Sequence, residues 1–162
     1  MSGGFAPKVG YMALEQLVRQ HEFANGLSDG QIASLTSIAR EVRFSENEVI
    51  LTDGQRSAAF YLVISGSVVV ELCTARYVVG VQALGVGQVF GWSSLLDRQD
   101  TLFQVRARED TRALRLDGEK LQALCRNDPT LGIEILQRTL NVVAGRVKAT
   151  ELRFAEMCGI RI

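Results

Sequence analysis

The feature that most constrains the fold is a series of short apolar segments between Glu41 and Leu116, separated by glycine-containing turns. The segments are Val49–Leu51, Phe60–Ile64, Val68–Leu72, Tyr77–Leu84, Phe103–Ala107 and Arg112–Leu116. About eight strands at intervals of about eight to twelve residues are typical of an antiparallel sandwich or a jelly-roll barrel. The chain is therefore predicted to be mainly β, with a jelly-roll β-roll (a double-stranded β-helix) at its centre.

Two local patterns in this region predict how the strands are arranged. In Phe103–Ala107, apolar residues alternate with Gln104 and Arg106, which predicts a strand with one buried face and one wet face. The turn Ser65-Gly66-Ser67 has the length of a hairpin loop. Val68–Leu72 is therefore predicted to pair back on the segment that precedes the turn.

Helices are predicted on both sides of the β region. In the N-terminal part, the apolar residues Met12, Leu14, Leu17 and Val18 are expected on one helix face, with Leu17 and Val18 three and four positions after Leu14. Ser28 and Gln31 have the spacing of a capping box, and Asp117 can cap a short later helix. Asp128-Pro129 predicts the start of a helix that runs to about Glu156 and is roughly 40 Å long. The expected organisation is one domain, 1–162, with N-terminal helices in 1–40, a β-roll in 41–116 and C-terminal helices in 117–162.

The composition excludes several classes of function. The 162 residues contain 18 Lys plus Arg and 18 Asp plus Glu, so the net positive charge that drives nucleic-acid binding is lacking. The single histidine, His21, cannot build a metal site of several histidines and is expected to be a surface or helix-capping residue. No metal site, catalytic residue or enzymatic activity is predicted. Three widely spaced cysteines and the lack of an 18-residue apolar run predict a cytoplasmic protein without a membrane span.

Several motifs occur in an order and at a spacing similar to those of a known family. They are Thr52-Asp53-Gly54-Gln55, the run from Phe60 to Val70, Leu84-Gly85-Val86-Gly87-Gln88-Val89-Phe90-Gly91, and Val105-Arg106-Ala107 followed by Leu114 and Leu116. From about Leu27 to Phe154 the chain resembles the cyclic nucleotide-binding domain of catabolite-activator and Fnr-type regulators. The resemblance implies a regulatory, ligand-sensing β-roll. Only Met157–Ile162 follow the long helix, so a helix-turn-helix domain and DNA binding are not expected.

Gly91 and the residues after it carry the chemistry that the resemblance implies. A glycine followed by a helical turn, here Trp92–Leu96, presents backbone N–H groups that favour an anion. In the family this element is the phosphate-binding cassette, with a Glu after the glycine for the ribose and an Arg for the phosphate. The corresponding positions here are Trp92 and Thr101. An indole only donates hydrogen bonds and a threonine carries no charge, so weak or no binding of cyclic AMP and cyclic GMP is predicted.

The sequence leaves three interpretations of the pocket open. Its candidate lining residues are Gln82, Phe90, Gly91, Trp92, Ser93, Arg98, Thr101 and Leu102. In the first interpretation Trp92 fills the pocket, and the chain is a purely structural interaction module with the β-roll as scaffold and the long helix as the dimerisation element. In the second, Trp92 stacks on a small, anionic ligand while Gln82 makes a polar contact. In the third, Arg98 replaces the missing arginine and the chain is a genuine cyclic-nucleotide sensor. No other cofactor is predicted.

The long C-terminal helix carries an apolar seam. Its members are Ile133, Leu136, Leu140, Val143 and Val147, continued by Thr150 and Phe154. Alternating spacings of three and four residues are the a/d pattern of two helices packed along each other. A parallel homodimer through this helix is predicted. The contrasting interpretation is that both apolar faces of the helix pack within one chain.

Overall fold

The computed structural model describes residues 10–97 and 103–160. The chain separates into two compact units, which divide between Leu124 and Cys125. Within the described ranges, no helix combines the length and the apolar character needed to cross a membrane.

In the described part of the first unit, eight strands build the β-roll. They are β1 Ala39–Phe44, β2 Val49–Leu51, β3 Ala59–Ser65, β4 Val68–Cys73, β5 Val78–Leu84, β6 Val89–Phe90, β7 Phe103–Ala107 and β8 Thr111–Asp117. They form two four-stranded sheets with the orders β1-β8-β3-β6 and β2-β7-β4-β5, and every pairing is antiparallel. The jelly-roll prediction is confirmed. The first strand starts at Ala39, so the predicted helical part extends two residues too far.

The inner core of the roll follows from the strict alternation of strand side chains. Its buried members are Ala59, Tyr61, Val63, Val68, Leu84, Phe90, Val105 and Ala113. The rings of Tyr61 and Phe90 are stacked, with centroids 4.7 Å apart and planes 7° apart. This stack fixes β6 against β3 directly before Gly91.

The opposite face of the first sheet packs against the N-terminal helices. These are α1 Tyr11–Gln20, a 3-10 turn Glu22–Ala24 and α2 Asp29–Ile38. Phe23 of the turn contacts Phe60 of β3, with ring centroids 5.0 Å apart. Both hydrogen bonds of the predicted Ser28–Gln31 capping box are present. Met12, predicted on the apolar face of α1, is 85% exposed, because only the last turn of α1, at Val18, reaches the core.

The predicted hairpin between β3 and β4 is wrong. The two strands lie in different sheets, and the turn Ser65-Gly66-Ser67 carries the chain from one sheet to the other. Gly66 has φ 80° and lies against the backbone of Asp110. A turn of hairpin length therefore serves as a corner of the roll, because β3 finds its partners in β8 and β6 instead.

The alternation predicted for β7 holds except at one residue. Val105 and Ala107 are buried, and Arg106 is partly exposed. Gln104, predicted on the wet face, is only 7% exposed. Its amide and the Arg106 Nε both donate to Glu71 Oε2 on the neighbouring strand β4. A neutral amide can be buried on this face because the carboxylate satisfies it.

A second carboxylate is buried on β1. The Glu41 side chain is 4% exposed, and its Oε1 accepts a 2.7 Å hydrogen bond from Arg112 Nε of β8. Arg43 Nε lies 3.6 Å from the same oxygen. The hydrogen bond from Arg112, the largest influence, holds the pKa of Glu41 below its ordinary value. The pair ties the first strand of the roll to the last.

After β8 the chain forms α3 Gly118–Asn127 and α4 Pro129–Met157. Asp117 accepts from the Lys120 N–H, as predicted for a cap. The Asp128 carboxylate accepts from the N–H groups of Thr130 and Leu131, which confirms the predicted start of the long helix. That helix has 29 residues and ends one residue beyond the predicted Glu156.

Candidate functional site: the turn after Gly91

We call residues Gly91–Leu96 the cassette segment. Gly91 adopts φ 80° and ψ 23°, and Trp92–Leu95 form a 3-10 helix, which confirms the helical turn predicted there. The Ser94 N–H donates to Gly91 O at 3.0 Å, and the Leu96 N–H donates to Ser93 O at 3.1 Å. The N–H groups of Trp92 and Ser93 donate to no acceptor within the described residues, as expected for the first turn of a helix. The start of the 3-10 helix therefore has two backbone N–H groups that can donate hydrogen bonds to a ligand.

Residues directly before β3 and at its first position contact the cassette segment and form hydrogen bonds to it. An added Cβ on Gly91 would overlap Ala59 O and lie 3.0 Å from Ser57 Oγ, so the two backbones are in close contact. The Ser57 N–H donates to Ser93 Oγ at 3.0 Å. Arg56 Nη1 donates to Leu96 O at 2.9 Å and to Asp97 O at 3.3 Å. Both ends of the 3-10 helix are therefore held by residues close together in sequence.

Sequence reasoning missed these supporting residues. Arg56 and Ser57 follow the Asp53-Gly54 turn, and no spacing rule connects them with a segment about 36 to 40 residues later. The same is true of Gln122, whose amide donates to Ser94 O at 2.8 Å. These residues can be identified only from the hydrogen bonds they form in the three-dimensional structure.

The predicted pocket residues occupy different environments. Phe90 is 1% exposed and belongs to the inner core, and Gly91 and Ser93 are buried. Trp92 is half-buried. Gln82, also half-buried, lies opposite Val70 in the β4–β5 ladder; Val70 packs against the inner core, so Gln82 shares the face directed into the roll. Arg98, Thr101 and Leu102 lie outside the described residues.

The described site offers a ligand mainly hydrogen-bond donors. The two N–H groups and the partial positive charge at the start of a helical turn favour an anion. The indole of Trp92 adds an aromatic face and one donor, but no acceptor for a hydroxyl group. No group of three His, Cys, Asp or Glu side chains that could hold a metal ion occurs in the part of the chain that the structure describes.

His21 supports β3, the strand that pairs with β6 directly before the cassette segment. It is 6% exposed and caps the 3-10 turn, since its Nδ1 accepts from the Phe23 N–H at 3.2 Å. Nε2 lies 3.1 Å from Val63 O, which also accepts from the Gly87 N–H. Of the two roles predicted for His21, a surface or a helix-capping residue, the capping role is confirmed. The ring is buried because the turn packs onto β3.

Comparisons with known proteins agree with this geometry. Residues 41–128, more than half of the chain, match the family described as the cyclic nucleotide-binding domain. The chain belongs to this family. A cyclic nucleotide-binding domain from Methylobacillus flagellatus has a similar structure, with a TM-score of 0.75 at 20% identity, over 91% of this chain and 83% of that one. An identity this low shows a shared fold alone.

This cyclic nucleotide-binding domain matches only part of some longer relatives. The catabolite activator protein of Thermus thermophilus is 25% identical, with a TM-score of 0.68 over 85% of this chain and 63% of that chain. A proposed potassium channel protein of Rhodopseudomonas palustris is 30% identical over 134 residues, which are 82% of this chain and 31% of the channel protein. The chain thus spans about a third of the length of that relative.

Proposed function

We propose that this regulatory cyclic nucleotide-binding domain binds cyclic AMP and cyclic GMP weakly or not at all. The observation that carries the proposal is Trp92 at the start of the 3-10 helix, directly after Gly91. The residue at this position is the one the family uses to accept a hydrogen bond from the ribose, and an indole has no such acceptor. The domain is a ligand-sensing module without catalysis, and no nucleic acid or membrane is its partner.

The second part of the proposal concerns Thr101. A cyclic phosphate that enters a partly desolvated pocket needs a compensating charge, which a guanidinium supplies through two parallel hydrogen bonds. A threonine hydroxyl supplies no charge. Each charge-assisted bond contributes about 1.5–3 kcal/mol, so its loss alone weakens binding by about tenfold or more. The N–H groups of Trp92 and Ser93 remain, and a small anion such as phosphate or sulfate is the ligand they favour.

Calorimetric titration of the purified chain with cyclic AMP and cyclic GMP tests the proposal. We expect no binding tighter than millimolar, and a gain of at least about tenfold in the variant Trp92→Glu/Thr101→Arg, which restores the acceptor and the cation. The matched control, Trp92→Leu/Thr101→Leu, removes the indole in the same way without adding an acceptor or a charge and should gain little. Low-micromolar binding by the unmodified chain would overturn the proposal and favour Arg98 as the cation.

A second function, dimerisation, is favoured by the exposure of the apolar seam on α4. Ile133, Leu136, Leu140, Val147 and Phe154 are each at least 51% exposed. Val143 is half-buried. Large apolar side chains in one line along a helix are costly to leave in water. We propose that a second copy of this helix covers them in a parallel homodimer.

A further inference from the structure

The strands β1 and β8 place arginines opposite each other at two rungs of their ladder, a rung being a pair of directly opposed residues. Arg43 lies opposite Arg112, and Arg40 lies opposite Arg115. Opposed side chains of an antiparallel ladder have Cβ atoms about 4.5–5.5 Å apart, and like charges at this distance destabilise the sheet. Each of the two rungs therefore needs a negative charge.

The Arg43–Arg112 rung obtains that charge from the chain itself. Glu41 Oε1 accepts a 2.7 Å hydrogen bond from Arg112 Nε and lies 3.6 Å from Arg43 Nε. One carboxylate, placed beside both guanidinium groups, offsets their repulsion. This rung shows what kind of group a pair of opposed arginines requires in this sheet.

The Arg40–Arg115 rung is directed into the roll. Arg40 stands two residues before Val42, Arg115 stands two residues after Ala113, and both of these apolar residues pack in the inner core. Residues two apart on a strand share a face, so both arginines point toward the interior. Tyr61 of β3, itself a member of the inner core, lies opposite Arg115 and continues the rung on the same face.

The polar groups of this rung lack hydrogen-bond acceptors. The Arg115 side chain is only 18% exposed, and Asp117 Oδ2 lies 3.7 Å from its Nη1, which is beyond hydrogen-bond distance. Asp117 Oδ1 already accepts from the Lys120 N–H. Within residues 10–97 and 103–160, neither the Arg40 guanidinium nor the Tyr61 hydroxyl forms a hydrogen bond, although Tyr61 is 8% exposed.

These donors suit an oxyanion. A guanidinium binds a carboxylate or a phosphate through two parallel hydrogen bonds, and a phenol adds a further donor. The Tyr61 ring is fixed by its stack on Phe90 and by the edge of Phe44, so the position of its hydroxyl group is fixed as well. Buried donors of native proteins almost always have acceptors, and a bound anion would supply them here.

We propose that Arg40, Arg115 and Tyr61 form a binding site for the oxyanion group, phosphate or carboxylate, of a small ligand. The ligand takes the place that a carboxylate of the chain holds at the other arginine rung. The site consists of side chains of β1, β8 and β3 and uses none of the backbone N–H groups of the cassette segment. The inference therefore goes beyond the proposed function.

Calorimetric titration of the full chain with inorganic phosphate, and separately with succinate, at constant ionic strength tests the site. We expect saturable binding of at least one probe, and the tighter one identifies the preferred oxyanion. Arg115→Gln should weaken this binding by at least about tenfold, because it removes charge-assisted hydrogen bonds. Tyr61→Phe keeps the ring stack and removes only the hydroxyl group, and it should weaken binding by about fivefold.

Arg40→Gln provides the best-controlled comparison, because Arg40 is exposed and the fold does not depend on it. We expect about tenfold weaker binding. The matched control is Arg43→Gln, which removes the same charge from the opposite face of the same strand and should leave binding unchanged.

Two results would overturn the inference. One is the absence of saturable binding of either probe. The other is binding that Arg40→Gln, Tyr61→Phe and Arg115→Gln all leave unchanged, which is also the result expected for an anion held at the cassette segment. Neither result depends on cyclic nucleotides, so failure of this site and failure of the proposed function are distinguishable.

Discussion

His21 illustrates how one side chain can respond to pH in this molecule. The Phe23 N–H can only donate, so Nδ1 accepts and the ring proton of the neutral form lies on Nε2, which donates to Val63 O. A second proton on Nδ1 would face the Phe23 N–H. Burial is the largest influence and holds the pKa of His21 below its ordinary value of 6.5, although Val63 and Glu22 act in the opposite direction.

The stability of the chain should therefore fall in mild acid. The unfolded chain takes up the histidine proton first, so the contribution of neutral His21 is complete above pH 6.5 and is lost as the pH falls from there through the folded-state pKa. Urea unfolding between pH 8 and pH 5 measures this loss. His21→Gln cannot titrate and should flatten the profile in this range. An identical pH profile in both proteins would contradict the prediction.

At the scale of a single element, the cassette segment depends on the absence of a side chain at Gly91. A left-handed backbone costs a non-glycine residue about 1–2 kcal/mol. An added Cβ would also overlap the carbonyl oxygen of Ala59. Ala59 belongs to β3, and the backbone of this packed strand has little room to move. The tight turn and the close packing of two backbones thus impose glycine for two separate reasons.

We expect Gly91→Ala to lower the free energy of unfolding by at least about 2 kcal/mol, the sum of backbone strain and displacement of the turn. Gly85→Ala is the matched control, because its Cβ would meet no atom within 4 Å and its φ is not in the left-handed range. That control should change stability by less than about 0.5 kcal/mol. Equal effects of the two substitutions in urea unfolding would show that the close contact at Gly91 does not restrain the turn.

At the scale of the whole molecule, the second unit presents a surface that a single chain leaves exposed. Leu140 is 66% exposed and lies midway along the seam on α4. In a dimer, Leu140→Glu would place a carboxylate in an apolar interface, at a cost large enough to dissociate the helices. We expect light scattering to give a dimer for the unmodified chain and a monomer for Leu140→Glu, at tens of micromolar protein.

The matched control for this prediction is Asn141→Glu, which adds the same charge one position away from the seam on an exposed part of the helix. It should leave the dimer intact. A monomeric unmodified chain at these concentrations, unaffected by either substitution, would contradict the proposed homodimer.

The local parts of the structure were predictable from the sequence. The capping box at Ser28, the cap at Asp128 and the turn after Gly91 depend on residues a few positions apart, and short-range geometry alone favours them. The strand periods likewise predicted an antiparallel β-roll. In these cases the interacting groups are neighbours in the chain, so the local pattern of residues is enough to predict the structure.

The partners of each element were decided only by the tertiary structure. The Ser65–Ser67 turn suits a hairpin or a corner equally, and packing of the two sheets selected the corner. Gln104 and His21 are polar residues that the fold buries because distant groups, Glu71 and Val63, satisfy them.

At the candidate site, too, local features are predictable from the sequence, whereas distant partners are decided by the tertiary structure. Its defining residues, Gly91 and Trp92, stand side by side in the sequence, and the predicted departure of Trp92 from the family pattern can be read there. The residue that holds the turn in place, Arg56, lies 40 positions before Leu96. Such long-range hydrogen bonds form only after the sheets have packed, because packing offsets the entropy of bringing distant segments together. The sequence therefore determined the chemistry available at the site, and the tertiary structure decided which distant side chains hold it in position.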